Sequence, residues 1–297
     1  MDLMRSALRI PCVALLGLSL GSTSRAQNSQ TVVTRESSAR PAIEKLIQQS
    51  GADVSVAFRS LDGAQELFVQ ADAPFEDPLA LKIPVMVELY AEVEARELRW
   101  SDSLPVHTNF RSAADGSTYR VDPSRDLSKS IGKTMTLRRL CDSMIADDSD
   151  LAADLLVEKL GVDRIRQRIH EMGGDGMEFT GDFGDDAAAA RGIKNVTSAR
   201  ALMAMLWALA ANRVVSADAS MQMIGLIAHS GLQGGVPGVT PAQAPAPRKP
   251  PASDRHDATV IFGAHSFVLV TDVRGTIDPR SSAALVARIS QALSSAM

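Results

Sequence analysis

Polar and apolar positions along the chain recur in two rhythms, and each rhythm predicts an element. Residues 53–60 (DVSVAFRS) and 65–71 (QELFVQA) alternate with a period of two. They predict two half-buried strands joined at the Leu61-Asp62-Gly63 turn. Residues 257–263 (DATVIFG) and 266–273 (SFVLVTDV) predict a hairpin around Ala264-His265. Apolar residues at three- and four-residue spacing predict helices over 38–49, 81–100, 136–147, 149–160, 162–172, 217–228 and 279–296. Pro84 fits the long helix 81–100 only near its first turn. Asn195-Val196-Thr197-Ser198 opens a further helix through Leu209, with Thr197 as its cap. Residues 101–134 are polar and irregular, and 173–195 form a loop rich in Gly, Asp and Ala.

Strands near both ends with helices between them predict an α/β (α+β) fold. An antiparallel sheet is built from both termini and flanked by helices, with an all-helical subdomain inserted. The sheet part is expected at about 38–80 and 214–297, and the helical part at about 81–213. No internal repeat interrupts this plan. Within 231–256, the stretch 237–251 holds six prolines, which excludes a regular central strand there. A solvated loop or a partner-docking strip fits it.

Composition narrows the function. The chain has 297 residues, 45% apolar and 22% charged, an ordinary globular mixture. Its formal net charge is -4 and aromatics are only 4%, which argues against nucleic acid as a partner. No apolar run reaches the roughly 20 residues of a membrane span. Residues 1–26 carry Arg5 and Arg9, a short apolar stretch from Ile10 to Leu20, and Ser24-Arg25-Ala26 as a small-x-small cleavage site. This is the pattern of a secretory signal peptide, so residues 27–297 are expected as one exported domain, periplasmic or secreted. The two cysteines are Cys12, inside that leader, and Cys141. They support neither a disulfide framework nor a cysteine zinc site, and no cofactor is expected.

Four segments carry a resemblance. PFEDPLALKIPVMVELY contains Lys82-Ile83-Pro84-Val85, with Phe75 seven residues upstream of the lysine. LCDSMIADDSDLAADLLVEKLG, GIKNVTSARALMAMLWAL and RHDATVIFG follow in order. Together they resemble the class A β-lactamases and related penicillin-recognising serine hydrolases, in family order and spacing over nearly the whole chain after the leader. The resemblance implies the β-lactamase/transpeptidase-like fold.

It also implies a set of site positions, and at these the chain departs from the pattern. The family's Ser-x-x-Lys places a serine nucleophile one helical turn before a lysine. Three residues before Lys82 stands Leu79. The family's Ser-Asp-Asn falls on Asp148-Ser149-Asp150, so aspartates replace the relay serine and the substrate-binding asparagine. The water-orienting glutamate of the family falls near Gly184, Asp185 or Asp186, where no base is assigned. The Lys-Thr-Gly box falls on Lys249-Pro250-Pro251, whose prolines remove the amides an edge strand would offer. The family positions are therefore Leu79, Lys82, Asp148, Asp150 and Lys249, and none is expected to be catalytic.

The energetic weight of these changes is large. Removing the nucleophile of a serine hydrolase costs about 10⁶ in turnover. A carboxylate set about 4 Å from an anionic ligand costs roughly 4 kcal/mol at an effective dielectric near 20. The expected local arrangement is a Lys82–Asp148 ion pair in place of a proton relay, because a lysine held as ammonium is no general base. Two blander roles compete. Asp148 and Asp150 fit as charges at the start of helix 149–160, where carboxylates are favoured. Asp147, Asp148 and Asp150 could instead ligate a divalent cation.

Other motifs carry less. Ser130-Ile131-Gly132-Lys133 repeats the Ser-x-x-Lys spacing by chance in a polar loop, and Gly132-Lys133-Thr134 lacks the upstream glycine of a phosphate loop. His107, His170, His229, His256 and His265 show no ligand spacing. Two functions follow. One is a catalytically degenerate member acting as a non-enzymatic binding or scaffold protein of the cell envelope, with weak affinity for a peptidoglycan-like or β-lactam small molecule. The other is a β-lactamase or related serine hydrolase working through a displaced serine such as Ser149 or Ser130. Leu79 favours the first.

Overall fold

The computed structural model describes residues 34–112, 114–123, 125–229, 255–263, 265–275 and 279–297. The leader 1–26, the proline-rich segment 237–251 and Lys249 lie outside the described residues.

The strands are β1 (Arg35–Glu36), β2 (Asp53–Ser60), β3 (Gln65–Val69), β4 (Pro74–Phe75), β5 (Ser103–Pro105), β6 (Asn109–Arg111), β7 (Thr118–Arg120), β8 (Thr134–Thr136), β9 (Thr197–Ser198), β10 (Arg255–Ile261) and β11 (Phe267–Arg274). The helices are α1 (Arg40–Ser50), α2 (Pro78–Glu94), α3 (Arg125–Ser128), α4 (Leu137–Ala146), α5 (Asp150–Leu160), α6 (Val162–Glu171), α7 (Asp186–Ala190), α8 (Ala199–Ala210), α9 (Ala217–His229) and α10 (Pro279–Ala296).

The main sheet runs β1-β3-β2-β11-β10. Its pairs are antiparallel except for the two-residue β1, which lies parallel to β3. Period two decides the faces. Val54, Val56 and Phe58 of β2 join Phe267, Leu269 and Val273 of β11 in one buried cluster with Ile43 of α1 and Leu285, Ile289 and Leu293 of α10. The intervening Ala57, Val268 and Val270 face the other way, into the larger cluster that holds α2, α4, α5 and α8. Burying a side chain such as Phe58 contributes about 1.5–3 kcal/mol. Helix α8 packs directly on β2 and β11, so it belongs to the sheet layer as much as to the helical portion.

Local chemistry sets the boundaries. At the β2–β3 turn Gly63 has φ +74°, a left-handed conformation that glycine adopts without steric cost. There Asp62 accepts hydrogen bonds from the Ser60 hydroxyl and the Ala64 amide at 2.6 and 2.9 Å. Helix α2 departs from expectation at both ends. Asp77 caps it and Pro78 fills the first position, so it starts three residues earlier than the pattern of apolar residues suggests. Pro84 consequently lies inside the helix rather than in its first turn. The helix ends at Glu94, because Arg96 turns into the left-handed region at φ +63°. The cap of α8 is Ser198, whose hydroxyl accepts from Ala201 N at 3.2 Å, and not Thr197. Thr197 instead pairs with Phe75 in the β4–β9 ribbon. The irregular stretch 101–134 resolves into short ribbons, β5 with β8 and β6 with β7. Among the described residues no helix is long and apolar enough to cross a membrane.

Candidate functional site

Lys82 projects from the second turn of α2 and is completely buried. Its ammonium donates to Asp148 Oδ1 at 2.7 Å, to Asp150 Oδ1 at 2.7 Å and to the Asp148 carbonyl oxygen at 3.0 Å. An ammonium has three N–H donors, and three acceptors take them. The Lys82–Asp148 pair expected from the sequence is formed, and Asp150 shares it equally. The Phe183 ring lies 5.5 Å from Nζ, within range of a cation–π contact.

The backbone arranges this convergence. After α4 ends, Asp148 takes φ +53°, a left-handed conformation that Asp tolerates better than most residues. That turn presents both its carbonyl and its carboxylate to Lys82. Ser149 then caps α5 through its hydroxyl, which accepts from Ala152 N at 3.2 Å. Asp150 occupies the first turn of α5, where the helix dipole favours a carboxylate. The cap is thus Ser149, and the two aspartates serve the lysine. Both aspartate side chains are 46% exposed, so they form a solvated anionic lip above a dry ammonium. Burial still pushes the Asp150 carboxyl up, against the pull of Lys82.

Leu79, one turn before Lys82, is only 8% exposed and belongs to the main apolar cluster. Its amide donates to the capping carboxylate of Asp77 at 3.1 Å. Asp77 is itself buried, which raises its pKa, while His256 opposes the rise and Asp148 adds to it. His256, early in β10, stacks on Phe75 with centroids 4.8 Å apart and lies 2.9 Å from Asp272.

Below the lysine runs a second acidic layer that the sequence reading did not single out. Asp154 lies one turn after Asp150 on α5 and is 3% exposed. It accepts from Phe183 N at 2.9 Å and from the Tyr119 hydroxyl at 3.0 Å. Burial pushes its pKa up to about 7, although both hydrogen bonds oppose the shift. Burial and the carboxylates of Asp154 and Asp182 likewise raise the Tyr119 hydroxyl. Asn195 holds the same loop from its other side. Its Oδ1 accepts from Thr180 N at 2.8 Å, and its Nδ2 donates to Asp182 O at 2.8 Å. The i, i+4 spacing of Asp150 and Asp154 could have flagged that pair. Tyr119 has no local signal.

Asp185 caps the short α7 through Ala188 N at 2.9 Å. Gly184 approaches Val121 so closely that an added Cβ would sit 2.7 Å from its Cγ2. Ser130 lies in a turn, its carbonyl accepting from Lys133 N at 3.0 Å. Of the histidines, His107 lies 2.9 Å from Glu158. Among the described residues no group of three or more His, Cys, Asp or Glu is placed to hold a metal ion.

A family model described as "Beta-lactamase enzyme family" matches residues 38–297. Among curated proteins, none matches the sequence. Solved structures do resemble the fold. A β-lactamase from Sphaerobacter thermophilus superposes with TM-score 0.62 at 17% identity, covering 86% of this chain and 94% of that one. PBP-A gives 0.65 at 15% identity, covering 89% and 97%. A β-lactamase from Chitinophaga pinensis gives 0.62 at 16% identity, covering 86% and 97%. At these identities the likeness is one of fold.

Proposed function

The chain belongs to the β-lactamase enzyme family, and from that premise we propose that it binds without hydrolysing, as an exported, non-enzymatic binding or scaffold protein of the cell envelope. One observation carries this reading. The lysine of the Lys-Ile-Pro-Val segment spends its three donors on Asp148 and Asp150, and the residue one turn before it is a buried leucine. A lysine so held has no lone pair to take a proton. A leucine has no atom to attack a carbonyl carbon.

The displaced-serine alternative is less well supported. Ser149 is 1% exposed, and its hydroxyl is engaged in capping α5. The acidic lip of Asp148 and Asp150 disfavours an anionic β-lactam, so affinity for such ligands or for peptidoglycan-like fragments is weak on this reading. The leader pattern at 1–26 supports an envelope location.

Intact-mass analysis after incubation with a panel of penicillins and cephalosporins, with hydrolysis followed in parallel, tests the proposal. The expected result is unmodified protein and no turnover. A covalent adduct, mapped to a serine, overturns it in favour of the hydrolase.

A further inference from the structure

A cavity of about 610 Å³ is bounded by β2, β3, α6, α8 and the residues just after α8. Neither Lys82 nor its aspartates line it. Its size falls within the range of sites for small organic molecules. Four arginines reach its wall: Arg59, Arg168, Arg200 and Arg213.

Two of them are committed elsewhere. Arg168 pairs with Glu88 at 2.8 Å and Glu171 at 2.6 Å. Arg200 grips both oxygens of Asp72 at 2.6 and 3.0 Å. The other two are not. Among the described residues neither Arg59 nor Arg213 has a carboxylate in ion-pair contact. Both rest on the Trp207 ring, 4.1 and 4.5 Å from its centroid.

Stacking uses the face of a guanidinium and leaves its in-plane donors unspent. Arg59 Nε is buried and meets no acceptor among the described residues. Trp207 is itself fixed, because its indole N–H donates to Ser60 O at 2.9 Å. The opposing charge at this end is Glu66, which faces Arg59 across the β2–β3 register. Two cations against one carboxylate leave a positive seat. Beside it, Met203, Ala208 and Val214 offer an apolar wall.

We propose that this cavity binds a small organic monoanion, with its carboxylate on Arg59 and Arg213 and its apolar body against Met203 and Ala208. The site is separate from the Lys82 cluster and stands whether or not the chain hydrolyses anything.

Titration of the ¹⁵N-labelled full chain with naphthoate tests it, using the neutral naphthamide as the control ligand. The chain has two tryptophans, so Trp100→Phe assigns the indole resonances. The expected result is a saturable shift of the Trp207 indole N–H, with naphthamide binding at least about tenfold more weakly. Arg213 is exposed, so Arg213→Gln should keep the parent's thermal midpoint while losing at least about tenfold in naphthoate affinity. Three outcomes overturn the proposal: no saturable shift up to about 10 mM, equal binding of naphthamide, or undiminished affinity in a folded Arg213→Gln protein.

Discussion

Replacing Asp154 by Asn removes a buried acid while keeping its shape: the amide oxygen takes the place of Oδ1, which accepts from Phe183 N, and the amide nitrogen takes the place of Oδ2, where it donates to the Tyr119 oxygen. An aspartate in the unfolded chain ionises near 3.9. Inside the fold, burial holds the Asp154 proton until about pH 7. The folded state therefore retains a proton that the unfolded chain releases. The resulting stabilisation is complete below the unfolded pKa and is lost as pH rises through the folded one. Between about pH 5 and pH 8 that loss amounts to about 2–3 kcal/mol. Asp150 is also raised by burial, but it titrates in parent and variant alike and largely cancels in the difference. Urea unfolding followed by circular dichroism at several pH values measures the effect. The Asp154→Asn protein should gain about 2–3 kcal/mol on the parent between about pH 5 and pH 8, with the slope of the transition unchanged. A parent–variant difference that stays flat across this window would refute the argument.

Three further outcomes follow from the same geometry. Lys82→Met removes the cation but leaves Asp148 and Asp150 half in water, so it should cost about 1–3 kcal/mol in denaturant unfolding rather than the larger loss of a fully buried pair. An unchanged midpoint would mean the triad contributes nothing. Leu79→Ser restores a hydroxyl one turn before Lys82 but leaves the ammonium held by three oxygens. Intact mass should still show no penicillin adduct, and an adduct would show that the aspartates do not sequester the lysine. Cys141 is buried and its thiol is pushed up to about 12, so iodoacetamide at about pH 8 should leave its peptide unlabelled until the protein is unfolded.

Much of the architecture was legible because its determinants are local. Four strands of the main sheet, β2, β3, β10 and β11, each run over five or more residues and carry a strand pattern, whereas the two-residue β1 carries none. The last helix, 279–296, is predicted with the bounds it takes in the structure. Misreadings arose where two local signals competed. Pro84 looked like a first-turn proline, yet Pro78 behind the capping Asp77 takes that role. Thr197 and Ser198 are both good caps and both lie in β9, but Ser198 is the residue that immediately precedes α8 and accepts from Ala201 N. The ribbons inside 101–134 are three residues per strand, too short for any period to register. At the site, the Lys82–Asp148 contact was readable because the motif order brings α2 and the α4–α5 turn together. The layer beneath was not. Tyr119 reaches Asp154 from the short β6–β7 ribbon, and Phe183 is positioned by Asn195 and Asp154 through contacts that no spacing rule encodes.

The order of strands in the sheet sets a timetable for folding. Strand β2 pairs on one side with β3, its immediate neighbour in sequence, and on the other with β11, roughly two hundred residues downstream. At about 5–20 residues per second of synthesis, β2 waits on the order of 10–40 s for that partner. Until then its open edge, and the part of its apolar face that α10 later covers, have no permanent mate. The helical middle of the chain, rich in near-neighbour contacts, can collapse in that interval, whereas the sheet is a late event gated by the final forty or so residues. A lesion in β11 or α10 would therefore act as an assembly defect, leaving a helical intermediate with an uncapped sheet edge.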